Sequence, residues 1–199
     1  MIFLVFLAYY GINCFANIYF MFGPLYEAFG ASASEVGMFL SIFYMAMIVC
    51  RPLGSLTMER IGVRKALMAS SMIAAISAVG MALTLSIPYL LLFFRAASGI
   101  SVSVFIVATI AYQSMVLDEK SRGTGFALFT TGSMLPLATV IPLSEWILEH
   151  GHNYLYMWLP VAVALICLGL SYIIKDTDHV AKRKKAWGTY SQLFKVKGV

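Results

Sequence analysis

Arg95 carries more chemistry than any other residue in this sequence. It lies about 9 Å into a long apolar run that begins near Tyr89, counted at 1.5 Å per helical residue. An ionisable side chain at that depth is costly, so it faces a cavity or a partner. Arginine keeps its proton, so it binds anions or sets a field but does not relay protons. Gly99 follows one helical turn later, and Ser98 and Gln113 extend that polar face. On the first apolar run, Tyr9, Asn13 and Asn17 recur at every fourth position, which makes one stripe on a helix. Two amides turned to lipid would be expensive, so the stripe meets protein or water. It is either glue between helices or a set of contacts for a solute. Ser41, Tyr44 and Met45 cluster similarly on the second run, with Ile48 continuing that face. On the fifth, Thr131, Met134 and Thr139 are candidates to point inward. Nowhere does a nucleophile–base set or a metal-ligand cluster occur at usable spacing, which argues against an enzyme and calls for no cofactor or metal. Cys14, Cys50 and Cys167 lie in apolar runs without C-x-x-C spacing and read as small buried side chains.

The elements that must position these groups follow from composition. The chain has 199 residues, 61% of them hydrophobic, and a mean hydropathy of +0.86. A single soluble core cannot hide that excess, so the bilayer is the expected solvent. The apolar runs make an all-α protein of six spanning helices, at about 2–22, 34–58, 66–85, 89–116, 124–148 and 153–174. Ser34 offers an N-cap for the second, with Glu35 in its first turn. Pro88 suits the start of the fourth and Gly151 the stop after the fifth. The first run lacks a basic n-region and a small-residue cleavage pattern, so it reads as a span and not a cleaved signal.

Lys and Arg fall on one side. Arg60, Arg64 and Lys65 lie between spans 2 and 3, Lys120 and Arg122 between 4 and 5, and seven more after span 6. The other three connections have none. That pattern puts both termini in the cytoplasm. Arg51, near the end of span 2, is placed to snorkel to the interface. Residues 1–175 thus form the six-helix unit, and 176–199 form a basic linker. Its basic run, with Trp187, Tyr190 and Phe194 beside it, suits anionic lipid headgroups rather than nucleic acid.

The stretch RPLGSLTMERIGVRK, Arg51 to Lys65, resembles the signature between helices 2 and 3 of the major facilitator superfamily of transporters. The family outline is Pro-x-x-Gly-x-x-x-Asp-Arg-x-Gly followed by two basic residues. Here it falls on Pro52, Ser55, Glu59, Arg60, Gly62, Val63 and Arg64, with Lys65 next. Ser55 stands where Gly is usual, with Gly54 adjacent; Glu59 replaces Asp; Val63 takes the first basic place. Arg95 to Gly99, RAASG, resembles the helix-4 motif Arg-x-x-(Gln)-Gly of the family's proton-coupled exporters, with Ser98 for Gln. GSMLPLATVIP supplies Gly132, Pro136 and Pro142 of an exporter-like helix 5, bent at its prolines, although Leu135 fills the Gly-before-Pro place. EKSRGTG resembles the loop between helices 4 and 5.

The resemblance implies a half bundle of 3+3 inverted repeats, the N-terminal half of a typical member, with a second six-helix half missing after FKVKGV. It implies that spans 1, 2, 4 and 5 line the solute cavity while span 3 faces lipid. It implies proton-coupled efflux of small amphipathic or metabolite-like compounds by alternating access. Pro52, Gly54, Glu59, Arg60, Gly62, Arg64, Lys65, Asp118 and Arg122 would form a latch at the cytoplasmic face. Glu59 would pair with Arg122 or Arg51, and Arg60 or Arg64 with Asp118 or Glu119. Arg95, Gly99, Tyr9, Asn13, Asn17, Ser41, Tyr44, Met45 and Thr131 would serve the solute or proton path. The proton acceptor is Glu27, Glu145, a residue of the other half, or absent. A homodimer supplying both halves, and a non-transporting membrane regulator or inactive fragment, are the alternatives.

Overall fold

A computed structural model of the chain describes residues 2–117 and 120–175, Glu59 by its backbone only. Expectations that fall on Asp118, Glu119, the Glu59 side chain or the basic tail lie outside the described residues. The helices are α1 (Ile2–Ile18), α2 (Phe22–Ala28), α3 (Ala33–Ile61), α4 (Val63–Leu83), α5 (Pro88–Val116), α6 (Arg122–Glu149) and α7 (Asn153–Ile173). A 3₁₀ turn, Tyr19–Met21, joins α1 to α2, and together they make the first of six candidate spans. That span runs on to Ala28, past the expected end at Phe22. Pro24 explains the break within it: a proline has no N–H to offer the carbonyl four residues back, and the helix retightens just before it.

Two turns differ in detail from expectation. The cap of α3 is Ser32, not Ser34. Ser32 Oγ accepts the Glu35 N–H at 3.3 Å, and Glu35 Oε2 accepts the Ser32 N–H at 2.7 Å. An acid must sit three residues past the cap to reach back, and Glu35 does so only from Ser32. The expected polar loop between spans 2 and 3 is also absent. α3 continues through Pro52 to Ile61, Gly62 alone breaks the chain, and α4 begins at Val63. Gly62 has φ 85° and ψ 160°, a conformation essentially closed to residues with a Cβ. Gly62→Ala is therefore expected to lower stability by about 1–3 kcal/mol. Thermal unfolding in detergent measures it, and an unchanged midpoint would refute this account of the turn. Pro88 at the first turn of α5 and Gly151 at φ 74° after α6 stand as expected.

The helices pack in a pattern that is its own mirror. α5 packs on α3 and α4, α1 packs on α6 and α7, and α4 packs on α7. α1 meets α5, and the lesser pairs are α3 with α4 and α6 with α7. Exchanging span 1 with 4, 2 with 5 and 3 with 6 maps each of these pairs onto another of them or, for α4 with α7 and α1 with α5, onto itself. The exchanged spans cross in opposite directions, so the architecture is a 3+3 inverted repeat.

Small residues let the backbones approach. Ser101 Oγ donates to the Ser70 carbonyl at 2.6 Å, Ser103 Oγ to the Met47 carbonyl at 2.9 Å, and Ser71 meets Ser171 at 3.2 Å. Span 3, expected to turn to lipid, is the most buried: 56% of its apolar window is inside the bundle, against 11% for span 2 and 22% for span 5. Ser70, Ser71, Ala74, Ala75 and Ala78 carry its buried side. Beyond Lys65 at its start, the open positions Ala69, Met72, Ile73, Ile76 and Leu83 are all apolar and suited to lipid. The least covered helices are α3 and α6, and both carry polar groups outward.

Candidate functional site

Arg95 is 2% exposed, at the meeting of α5, α3 and the end of α1. Its guanidinium lies over the rings of Phe43 at 4.1 Å, Tyr19 at 4.6 Å and Phe39 at 5.0 Å. Nε and Nη1 have no hydrogen-bond partner among the described residues. The charge is thus held by ring faces, where the negative π quadrupole stands in for a counter-ion, each face contributing about 2 kcal/mol when water is excluded. Phe22 stacks on Phe39 at 4.4 Å, and Tyr156 Oη donates to the Ile18 carbonyl at 2.7 Å, which fixes the chain just before Tyr19. Gly99 has a positional part. A Cβ there would lie 2.4 Å from the Phe43 carbonyl oxygen, so only glycine lets α3 come close enough to lay Phe43 over Arg95. Sequence reasoning missed Tyr19, Phe39 and Phe43. The latter two are a helical turn apart, but no local signal aims them at Arg95.

The polar stripe of α1 is shifted from expectation. Tyr9 is 9% exposed and packs on Phe129, ring centroids 5.4 Å apart. Its neighbour Tyr10 takes the open side with Asn13 and Asn17 and meets Thr139 of α6 at 2.7 Å. Asn13 Nδ2 donates to the Tyr9 carbonyl at 2.8 Å and Asn17 Nδ2 to the Asn13 carbonyl at 2.7 Å. Ser41, Tyr44, Met45 and Ile48 are exposed on α3, and Phe20 of the first span touches Tyr44, centroids 6.4 Å apart. Thr131 is exposed on α6 and donates to the Ala127 carbonyl at 3.1 Å. Spans 1, 2 and 5 therefore bring most of the expected solute residues to open faces, with α5 packed on both α1 and α3. Deeper in α5, Thr109 Oγ1 and both amide atoms of Gln113 are buried without partners among the described residues. Glu27 and Glu145 are exposed at the end of the bundle bearing Gly30.

At the other end, the signature stretch is helix, glycine, helix. Gly54, not Ser55, fills the close-contact role: a Cβ on it would lie 3.3 Å from Val104 Cα of α5. Val63 is buried at the start of α4, which explains an apolar residue in a usually basic place. Pro52, Arg60 and Lys65 are exposed. Arg64 Nη2 donates to the Tyr172 carbonyl at 2.7 Å, and its guanidinium lies 5.4 Å from the Tyr172 ring. Arg122 donates to the carbonyls of Ser114 at 3.2 Å and Leu117 at 3.4 Å, a cation on the C-terminal end of α5.

A family model described as the Major Facilitator Superfamily matches residues 1–198. The chain belongs to that superfamily of transporters, and it is a multi-pass membrane protein with six candidate spans. No curated protein matches the sequence. Among solved structures, it is similar to the superfamily's proton:xylose symporter XylE bound to 6-bromo-6-deoxy-D-glucose. The TM-score is 0.76 at 18% identity, over 99% of this chain and 50% of that one. It is also similar to a D-xylose-proton symporter, with TM-score 0.73 at 15% identity, over 98% of this chain and 52% of that one. The chain spans about half the length of these symporters, and at such identity the likeness shows the fold.

Proposed function

We propose that this chain is one six-span half of a secondary active transporter that exports small amphipathic or metabolite-like compounds by alternating access, coupled to protons. The observation that carries the proposal is the open polar face of spans 1, 2 and 5. Tyr10, Asn13, Asn17, Tyr44 and Thr131 stand there, and amides on a bilayer helix belong against water or protein, not lipid. Transporters built from such repeats hold solute near the midplane between two halves. The partner is then a second six-span half, from a longer chain or another copy. Residues 1–175 are the half-domain and 176–199 the linker. The Gly62 end faces the cytoplasm of a cell membrane, the side its Lys and Arg residues favour. There the stretch from Pro52 to Lys65, with Asp118 and Arg122, acts as the latch. The Arg95–Gly99 spacing supports export, and the neighbours described as proton symporters support proton coupling.

A tandem fusion of two copies through residues 176–199 tests this. Vesicles with an acid interior, the fusion's cytoplasmic face outward, should concentrate an amphipathic fluorescent dye. Concentration by strictly monomeric single chain would refute the half-transporter reading. Concentration only with an alkaline interior would refute export by proton exchange.

A further inference from the structure

We propose that Arg51 is a solute-binding residue, and that the solute is a small organic anion whose hydroxyl or N–H groups face spans 1 and 5. The proposal rests on the transport reading and names its substrate class. Spans 1 and 2 run in opposite directions and meet where Phe20 touches Tyr44. Seven residues on from Tyr44 is Arg51, two turns further along the same side of α3; seven back from Phe20 is Asn13. Arg51 therefore stands at the depth of Asn13, on the side of α3 that Phe20 of the first span meets. It lies about 16 Å before Gly62 at 1.5 Å per residue. It is exposed and has no partner among the described residues. Arg95, without a counter-ion among the described residues, is covered by rings and cannot touch a solute.

The facing side has the opposite character. Thr139 Oγ1 donates to the Leu135 carbonyl at 2.9 Å, so its contact with Tyr10 holds only if the phenol donates. Thr131 has likewise used its proton on Ala127. Each asparagine has given one amide N–H to a backbone carbonyl and keeps one N–H beside Oδ1, which accepts. The site thus offers a cation on span 2 and mostly acceptors on spans 1 and 5. A carboxylate or phosphate matches the first and donor groups on the same molecule match the second.

The test uses one skeleton in three charge states, glucuronate, glucose and glucosamine. Binding to the whole chain is measured in nanodiscs of zwitterionic lipid, with and without phosphatidylglycerol, alongside counterflow by the tandem fusion in vesicles. Glucuronate should bind at least about tenfold tighter than the other two. Arg51→Gln should erase that preference, Arg51→Lys should keep most of it, and the lipid should not alter it. Tighter binding of glucose or glucosamine, or an unchanged preference in Arg51→Gln, would overturn the assignment while counterflow still stands. If Arg51 instead serves a lipid headgroup, Arg51→Gln will abolish stabilisation by phosphatidylglycerol and leave solute binding alone, which also overturns it. Binding of none, with no counterflow, would remove both readings.

Discussion

Gly99→Val will pull α3 away from α5 and cost the protein most of its cooperative unfolding. The atom that a Cβ at 99 meets, at 2.4 Å, is the backbone carbonyl of Phe43, and Ala46 Cβ lies at 3.2 Å. A side chain can swing aside, but a backbone inside a helix cannot, so the helices must part. Overpacking of this kind costs about 1–3 kcal/mol where side chains can adjust; here the upper end or beyond is expected. In a chain of this size that is roughly a 10 °C fall in midpoint. The neighbouring contacts go with it, since Ser103 reaches Met47 and Gly54 lies against Val104 only while the backbones stay close. Gly37→Val is the control, because a Cβ at that position meets nothing within 4 Å. Equal midpoints for the two variants, read by circular dichroism in detergent, would sink the claim.

Arg95 variants should separate charge from packing. Arg95→Met fills much of the same space and loses the attraction to three ring faces. It also removes a guanidinium whose Nε and Nη1 are buried without hydrogen-bond partners among the described residues. Ring contacts of about 2 kcal/mol each and a burial penalty of several kcal/mol are similar in size. The fold should therefore keep its midpoint to within roughly 1–2 kcal/mol, while transport by the tandem fusion falls by more than about tenfold. Arg95→Glu is the opposite case. It places a carboxylate against faces that repel it, so about 3–5 kcal/mol should be lost. If Arg95→Glu proved as stable as Arg95→Met, the rings would not be sensing the charge, and the account of the site would fail.

Much of this protein is legible in its sequence. Gly62 and Arg95 stand out because each breaks a local rule, one of backbone conformation and the other of burial. The details that differ depend on one turn of angle or one residue of register. Ser34 looks as good a cap as Ser32 until the reach of Glu35 is counted. Tyr9 and Tyr10 are neighbours about 100° apart on the helix, and composition alone cannot say which of them faces Phe129. The connection between spans 2 and 3 is polar enough to suggest an irregular loop, yet its charges sit on helix and only Gly62 turns.

The number of spans, the bilayer as solvent and the clustering of basic residues at alternate connections were determined by sequence alone. Each is a property of contiguous runs of residues, and six apolar runs of spanning length are more than a core of this size can hide. The ring cage around Arg95, the burial of span 3, the choice of Tyr10 and the open side of Arg51 were decided only by the tertiary structure. They depend on which face each helix turns to neighbours far away in sequence. That is set by where small residues let backbones meet, as Gly99 and Gly54 do for α3 and α5.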